Sequence, residues 1–322
     1  MESIELIPEQ TIVLSSGPQG FSLAAASISF RGELIRLWVP LEAAGAVFGR
    51  THNAAMASFP ESKATAVYAA RLSITGAEEE TWSELPGLNT TYPIVQTLPG
   101  DRVVVVGSRC TRLPDGTVEL NASLYRSDGM MGAKFCLGDG IQHVQVDSEG
   151  RLWVGYFDEG VFGNFGWSFF GDQSGPIGQS GLVCFSDSGQ RLWEFEPPAG
   201  LGGIYDCYEL NVDENAVWAC YYSDFPIVHI DEKKQTTGWE TNLAGPKALA
   251  VAGDRVLAYG GYEGHRTDCS LLQLGDGRAG AEANVQLKLS DKVDPSTWNV
   301  IGRGPLLHLF TETEWCSFRV PN

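Results

Sequence analysis

Positive charge is scarce in this sequence. It holds 22 lysines and arginines against 40 acids, a formal net charge of −18. Nucleic-acid binding rests on a basic surface that neutralises phosphates, and anionic membranes draw the same kind of patch, so neither partner is expected. Long apolar runs are missing as well; no stretch of about 18 residues has the character of a membrane span. The first ten residues, MESIELIPEQ, are acidic and lack the apolar core of a secretory signal, so none is expected. None of the seven cysteines stands in a CxxC pair, which speaks against a zinc ribbon or a thioredoxin-like motif. Scattered through apolar segments, they read as small core residues in a reducing compartment, and a cytoplasmic location is expected.

Familiar catalytic signatures are absent too. In Gly171-Asp172-Gln173-Ser174-Gly175 the serine falls one position late for a nucleophile elbow. There is no H-E-x-x-H, and Gly200, Gly202 and Gly203 do not make a dinucleotide fingerprint.

What the chain does have is glycine, 38 of them, with 16 prolines and 43% hydrophobic residues. That composition suits many short strands joined by tight turns around a sizeable core. Six segments repeat one layout, an apolar strand, a polar turn and a second strand that opens on a hydrophobic burst. They are Ser27–Glu42, Ile94–Gly107, Gln142–Tyr156, Glu209–Tyr222, Ala248–Gly261 and Leu306–Arg319. Trp38, Val104, Trp153, Trp218, Leu257 and Trp315 stand at matching places in the bursts, which suggests one packing role between neighbouring sheets. Two further strands follow most hairpins, and four antiparallel strands every 40 to 50 residues or so make a propeller blade.

The expected fold is therefore an all-β, six-bladed β-propeller forming one domain over residues 1–322. The last hairpin ends near the C-terminus, and Ile4–Leu14 is expected to supply its outer strands, so that both termini pair in one blade. Seven blades is the alternative, because residues 46–91 are poorly patterned and have room for another.

The stretch Asp147-Ser148-Glu149-Gly150-Arg151-Leu152-Trp153-Val154-Gly155 resembles the D-x-x-G-x-[IL]-W-[VI]-G repeat of bacterial sensor-type propellers, and streptogramin lyase-like proteins carry a similar one. The match covers one blade well and the other five loosely. It implies the fold and a bacterial type of propeller; no site residue of either family is carried over.

In such a fold the loops leading into the first strands and out of the second strands share one face. Leaving the second strands are Tyr156-Phe157-Asp158-Glu159, Tyr221-Tyr222-Ser223-Asp224-Phe225 and Tyr262-Glu263-Gly264-His265, each joining aromatics to a carboxylate. Arg109 takes the acid's place in the second blade. Leading in are Leu137-Gly138-Asp139-Gly140, Ile204-Tyr205-Asp206-Cys207-Tyr208 and Ile301-Gly302-Arg303-Gly304. One rim is thus expected to gather Asp139, Asp158, Glu159, Asp206, Asp224 and Glu263, an oxygen-rich set that suits Ca²⁺ or Mg²⁺ if a metal is bound. Turn capping is the plainer role for each acid. A long segment rich in glycine and aromatics, Gly160–Ser180, adds Phe162, Phe165, Trp167, Phe169 and Phe170. It reads either as a lid or contact patch, or as an Ω-loop packed on its own blade.

Two functions follow. The first is a non-catalytic binding module, a monomer that takes a small molecule or a protein partner at the channel mouth. Arg109, Tyr156, Phe157, Trp167, Tyr208, Tyr222 and Tyr262 would provide the contact residues. The alternative is a metal-assisted hydrolase or lyase acting on a small molecule, with His143 as acid or base and Arg303 as an anion clamp.

Overall fold

The computed structural model describes residues 2–48, 67–168, 175–290 and 297–321. They form two compact units, one of Gly17–Glu194 and one of Met1–Ser16 with Phe195–Asn322. Each unit holds three β-sheets, and together the six sheets are the blades of a six-bladed β-propeller.

Two strands open the chain, β1 (Glu2–Leu6) and β2 (Gln10–Val13). The first blade is β3 (Phe21–Ile28), β4 (Leu34–Pro40), β5 (Tyr68–Thr75) and β6 (Glu80–Leu88), with a short helix α1 (Leu41–Val47) after its second strand. The second is β7 (Pro93–Leu98), β8 (Arg102–Gly107), β9 (Ala122–Tyr125) and β10 (Met131–Phe135). The third is β11 (Ile141–Val146) and β12 (Leu152–Tyr156), then a single-turn helix α2 (Asp158–Phe162), β13 (Leu182–Phe185) and β14 (Arg191–Glu194).

In the other unit the fourth blade is β15 (Asp206–Val212), β16 (Val217–Tyr222), β17 (Ile227–Ile230) and β18 (Thr236–Trp239). The fifth is β19 (Ala248–Ala252), β20 (Arg255–Tyr259), β21 (Cys269–Leu274) and β22 (Ala279–Leu287), and the sixth is built on β23 (Asn299–Arg303), β24 (Leu306–Phe310) and β25 (Glu314–Arg319).

The second strands β4, β8, β12 and β16 are buried almost end to end. Within a unit each sheet packs against its neighbour, so both faces of a middle strand need apolar side chains and strict alternation is lost. That is why the bursts read as continuous runs, such as Val103-Val104-Val105-Val106. The cores lie between sheets: Ile35, Leu37 and Leu72 of the first blade meet Val95, Val105 and Tyr125 of the second. The last strands face water on one side or both, as β6 and β14 do.

The sixth blade corrects the expected strand phase. The hairpin 306–319 supplies its second and third strands, and the first strand is β23, read from sequence as a loop. Trp315 therefore lies on a third strand, unlike Trp38, Trp153 and Trp218. Gly302 disguised β23: its Cα passes so close to Leu249 O that an added Cβ would overlap that oxygen, so the strand carries no side chain where the pattern needs one. The N-terminal segment also divides. β2 completes the sixth blade, antiparallel to β25, whereas β1 joins the fifth, parallel to β22. Part of the region proposed to hide a seventh blade, residues 49–66, lies outside the described residues; the rest supplies α1, β5 and β6. No helix among the described residues is long and apolar enough to cross a membrane.

The motif around Asp147 has a local explanation. Asp147 Oδ1 accepts hydrogen bonds from the backbone N–H of Glu149 (3.1 Å) and Arg151 (2.9 Å). Its Oδ2 accepts from Arg151 Nε (2.6 Å) and from the buried Trp153 Nε1 (3.0 Å). Gly150 takes φ +82° to close the turn, a conformation that side chains disfavour. One carboxylate thus caps a hairpin and anchors the indole of the next strand.

Candidate functional site

In the Gly17–Glu194 unit the structure brings Arg109, Asp139 and Glu159 together. Arg109 follows β8 and Asp139 precedes β11, and both are buried. Arg109 Nη2 stands 3.0 Å from Asp139 Oδ2 and 2.5 Å from Glu159 Oε2. The guanidinium also lies over two rings, with its carbon 5.3 Å from the centre of Phe157 and 4.6 Å from that of Phe165. Asp139 Oδ1 accepts the backbone N–H of Cys110 at 2.7 Å. Burial pushes the Asp139 carboxyl up to about 6, against the pull of Arg109 and the backbone N–H groups. Asn164 Nδ2 donates to Glu159 Oε2 at 2.8 Å and ties the start of the long loop to the same cluster.

This cluster is closed by the protein's own side chains. Trp167 is buried, and its Nε1 donates to Cys110 O at 2.9 Å. The Arg112 N–H donates to Phe165 O at 2.8 Å. The described part of the Gly160–Ser180 loop therefore packs on its own unit, while Phe169 and Phe170 lie outside the described residues. Tyr156 is fully enclosed, with its hydroxyl donating to Leu137 O at 2.5 Å, so it offers no surface to a ligand. Phe157 is half-buried under Arg109. Asp158 is exposed and accepts the Glu159 N–H at 2.7 Å, a turn-capping contact. His143 is half-buried on β11, just past a bulge in its pairing with β12.

In the other unit four aromatic rings converge. Tyr208 on β15 and Tyr262 after β20 share a hydroxyl–hydroxyl hydrogen bond of 2.7 Å. Phe225 sits edge-on to Tyr208 (4.9 Å), Tyr262 (5.7 Å) and Tyr222 (5.8 Å). Tyr222 and Tyr262 are each 48% exposed, as is Tyr205 beside them, whose N–H donates to Tyr222 O. Burial and the bond to Tyr262 hold the Tyr208 hydroxyl in its neutral form well above the usual phenol range. Phe225 is the buried pivot and takes a positive φ of 49° to reach that position. Tyr208, Tyr222 and Tyr262 are among the contact residues expected from sequence, whereas Phe225, three positions after Tyr222, is not.

The acids of this unit lie around that cluster in sequence. Asp206 is half-buried, its register partner on β16 being Tyr222, while Asp224 and Glu263 are exposed. Arg303 departs from its expected place in a loop. It ends β23, buried beside His308, which burial foremost and then the Arg303 charge hold down at about 3. His308 Nδ1 accepts Trp315 Nε1 at 3.2 Å, as a neutral ring does. Among the described residues no group of three or more His, Cys, Asp or Glu is arranged to hold a metal ion.

A family model described as the YxzG family matches residues 178–259. No curated protein matches the chain. Among solved structures, virginiamycin B lyase from Staphylococcus aureus is 11% identical, with 97% of this chain and 99% of that one covered and a TM-score of 0.45. A streptogramin B lyase is 10% identical over 97% of each chain, with a TM-score of 0.47. XC5397 from Xanthomonas campestris, a gluconolactonase, is 10% identical over 97% of this chain and 98% of its own, with a TM-score of 0.43. At such identities no function follows from the likeness.

Proposed function

We propose that this chain is a non-catalytic binding protein whose contact surface is the aromatic cluster of the fourth and fifth blades. One observation carries the reading: Tyr222 and Tyr262 are half exposed while held edge-on to Phe225, with Tyr262 also bonded to Tyr208. Exposed rings scattered singly need no explanation, but rings locked together present apolar area that loses little entropy on binding. Asp206, Asp224 and Glu263 stand on the same segments, and the chain carries a net charge of −18. The partner that fits is a small molecule or protein segment bearing a cationic group, which tyrosine faces and carboxylates attract together.

Thermal denaturation of the full chain with tetramethylammonium, an arginine-rich peptide, a neutral disaccharide and an acidic peptide tests this. The cationic probes should raise the midpoint, and Tyr222→Ala and Tyr262→Ala should remove the effect. An equal rise in both variants, or a turnover of any probe that the variants abolish, would overturn it.

A further inference from the structure

Cys110 and Cys136 come from segments that follow β8 and β10, and their sulfurs stand 3.6 Å apart as free thiols. A disulfide needs about 2.05 Å, so the gap to close is about 1.6 Å, within the reach of side-chain rotation. The two are not equivalent. Cys136 is half-buried, whereas Cys110 is fully buried, with Glu119 O 3.3 Å from its sulfur. The hydrogen bond to Cys136, and then burial, keep the Cys110 thiol protonated. The Cys110 hydrogen bond and the Gly138 N–H favour the thiolate at Cys136, and its acidity is raised accordingly. Cys136, the less buried of the two, is thus the better nucleophile, and the Cys110 sulfur stands within 3.6 Å to resolve an adduct on it.

We propose that Cys110 and Cys136 form a thiol–disulfide exchange site that takes a small-molecule disulfide of the glutathione type. The Cys136 thiolate bonds to one sulfur of glutathione disulfide as the S–S bond breaks, and the first glutathione leaves as a thiolate that takes up a proton from solvent. Cys110 then gives up its proton and attacks Cys136 Sγ, expelling the second glutathione, which takes that proton. Two protein thiols are oxidised to one disulfide, and one glutathione disulfide is reduced to two thiols. The bond fastens the strap carrying Arg109 to the segment carrying Asp139, which the Cys110 N–H already bonds at 2.7 Å. The other five cysteines, at 184, 207, 220, 269 and 316, are buried and should not react.

The test incubates the folded full chain with glutathione disulfide, then unfolds it and alkylates the remaining thiols. Five of the seven cysteines should be alkylated, and peptide mapping should find residues 110 and 136 joined. In Cys110→Ser, which keeps a hydroxyl donor for Glu119 O, the exchange should stop at a single glutathione adduct on Cys136; in Cys136→Ser no adduct should form. Seven alkylated cysteines, or a lasting adduct on Cys136 with Cys110 free in the wild type, would overturn the proposal. The wild-type map decides alone should a variant misfold.

Discussion

Asn211 and Gly304, 93 residues apart, exchange two hydrogen bonds: Asn211 Nδ2 donates to Gly304 O at 2.9 Å, and the Gly304 N–H donates to Asn211 Oδ1 at 2.7 Å. The same Nδ2 also donates to Leu249 O at 2.6 Å. A single buried amide therefore ties the first strand of the fourth blade to backbone of the fifth and sixth. Replacing it with alanine strands the Gly304 N–H and removes one bond from each carbonyl. Asn211→Ala should cost about 2–4 kcal/mol of stability, measured by urea unfolding. A loss within experimental error would show that the amide is dispensable.

Asp147 accepts four hydrogen bonds, one of them from the buried indole of Trp153. Asp147→Ala should destabilise the protein by about 2–4 kcal/mol. Asp147→Asn should recover only part of this, because its amide donor would face the Trp153 and Arg151 donors. Chemical denaturation of the two variants side by side checks the order.

Glu209 lies buried on β15, and desolvation alone pushes its carboxyl well above its ordinary value of 4.5. The folded protein thus keeps a proton that the unfolded chain releases above about pH 4.5. The stability linked to that proton is complete below pH 4.5 and is lost as pH rises towards the folded value, by about 1.4 kcal/mol per pH unit at most. Glu209→Gln cannot ionise, so unfolding curves at pH 5, 6 and 7 should show a flatter dependence than the wild type. Parallel curves would mean that Glu209 is ionised in the fold.

Arg109 neutralises a buried acid and stacks on two rings at once. Arg109→Ala leaves Asp139 unpaired in the interior, and a loss of about 3–5 kcal/mol is expected at pH 7. Below pH 6, where Asp139 takes up its proton, the penalty should shrink. Arg109→Lys keeps the charge but not the planar stack on Phe157 and Phe165, so it should rescue in part. A penalty that is the same at pH 5 and pH 7 would contradict the pairing.

Tyr262→Phe removes the hydroxyl bonded to Tyr208 but keeps the ring against Phe225. It should lower stability by about 0.5–1.5 kcal/mol and leave the response to tetramethylammonium largely intact, whereas Tyr262→Ala should abolish that response. Calorimetric titration of the two variants separates the ring face from the hydroxyl.

The repeat was legible because packing between sheets imposes it residue by residue. Trp38, Trp153 and Trp218 recur where a second strand is buried on both faces, and Asp147 announces its turn through chemistry that lies within seven residues of sequence. The grouping of Arg109 with Asp139 and Glu159 could be anticipated from charge and strand order. The sixth blade was misread because Gly302 answers to the backbone of Leu249, a neighbour that a local pattern does not contain.

Residue type and spacing along the chain determined the blade, its turns, the strong negative charge and which loops hold aromatics and acids, since each depends on near neighbours. Only the tertiary structure decided that Tyr156 and Trp167 serve the interior while Tyr222 and Tyr262 face water. It alone placed Phe225 as a pivot, sent β1 and β2 to different blades and set Cys110 against Cys136. Those outcomes depend on which distant side chain fills the space on the far side of a residue.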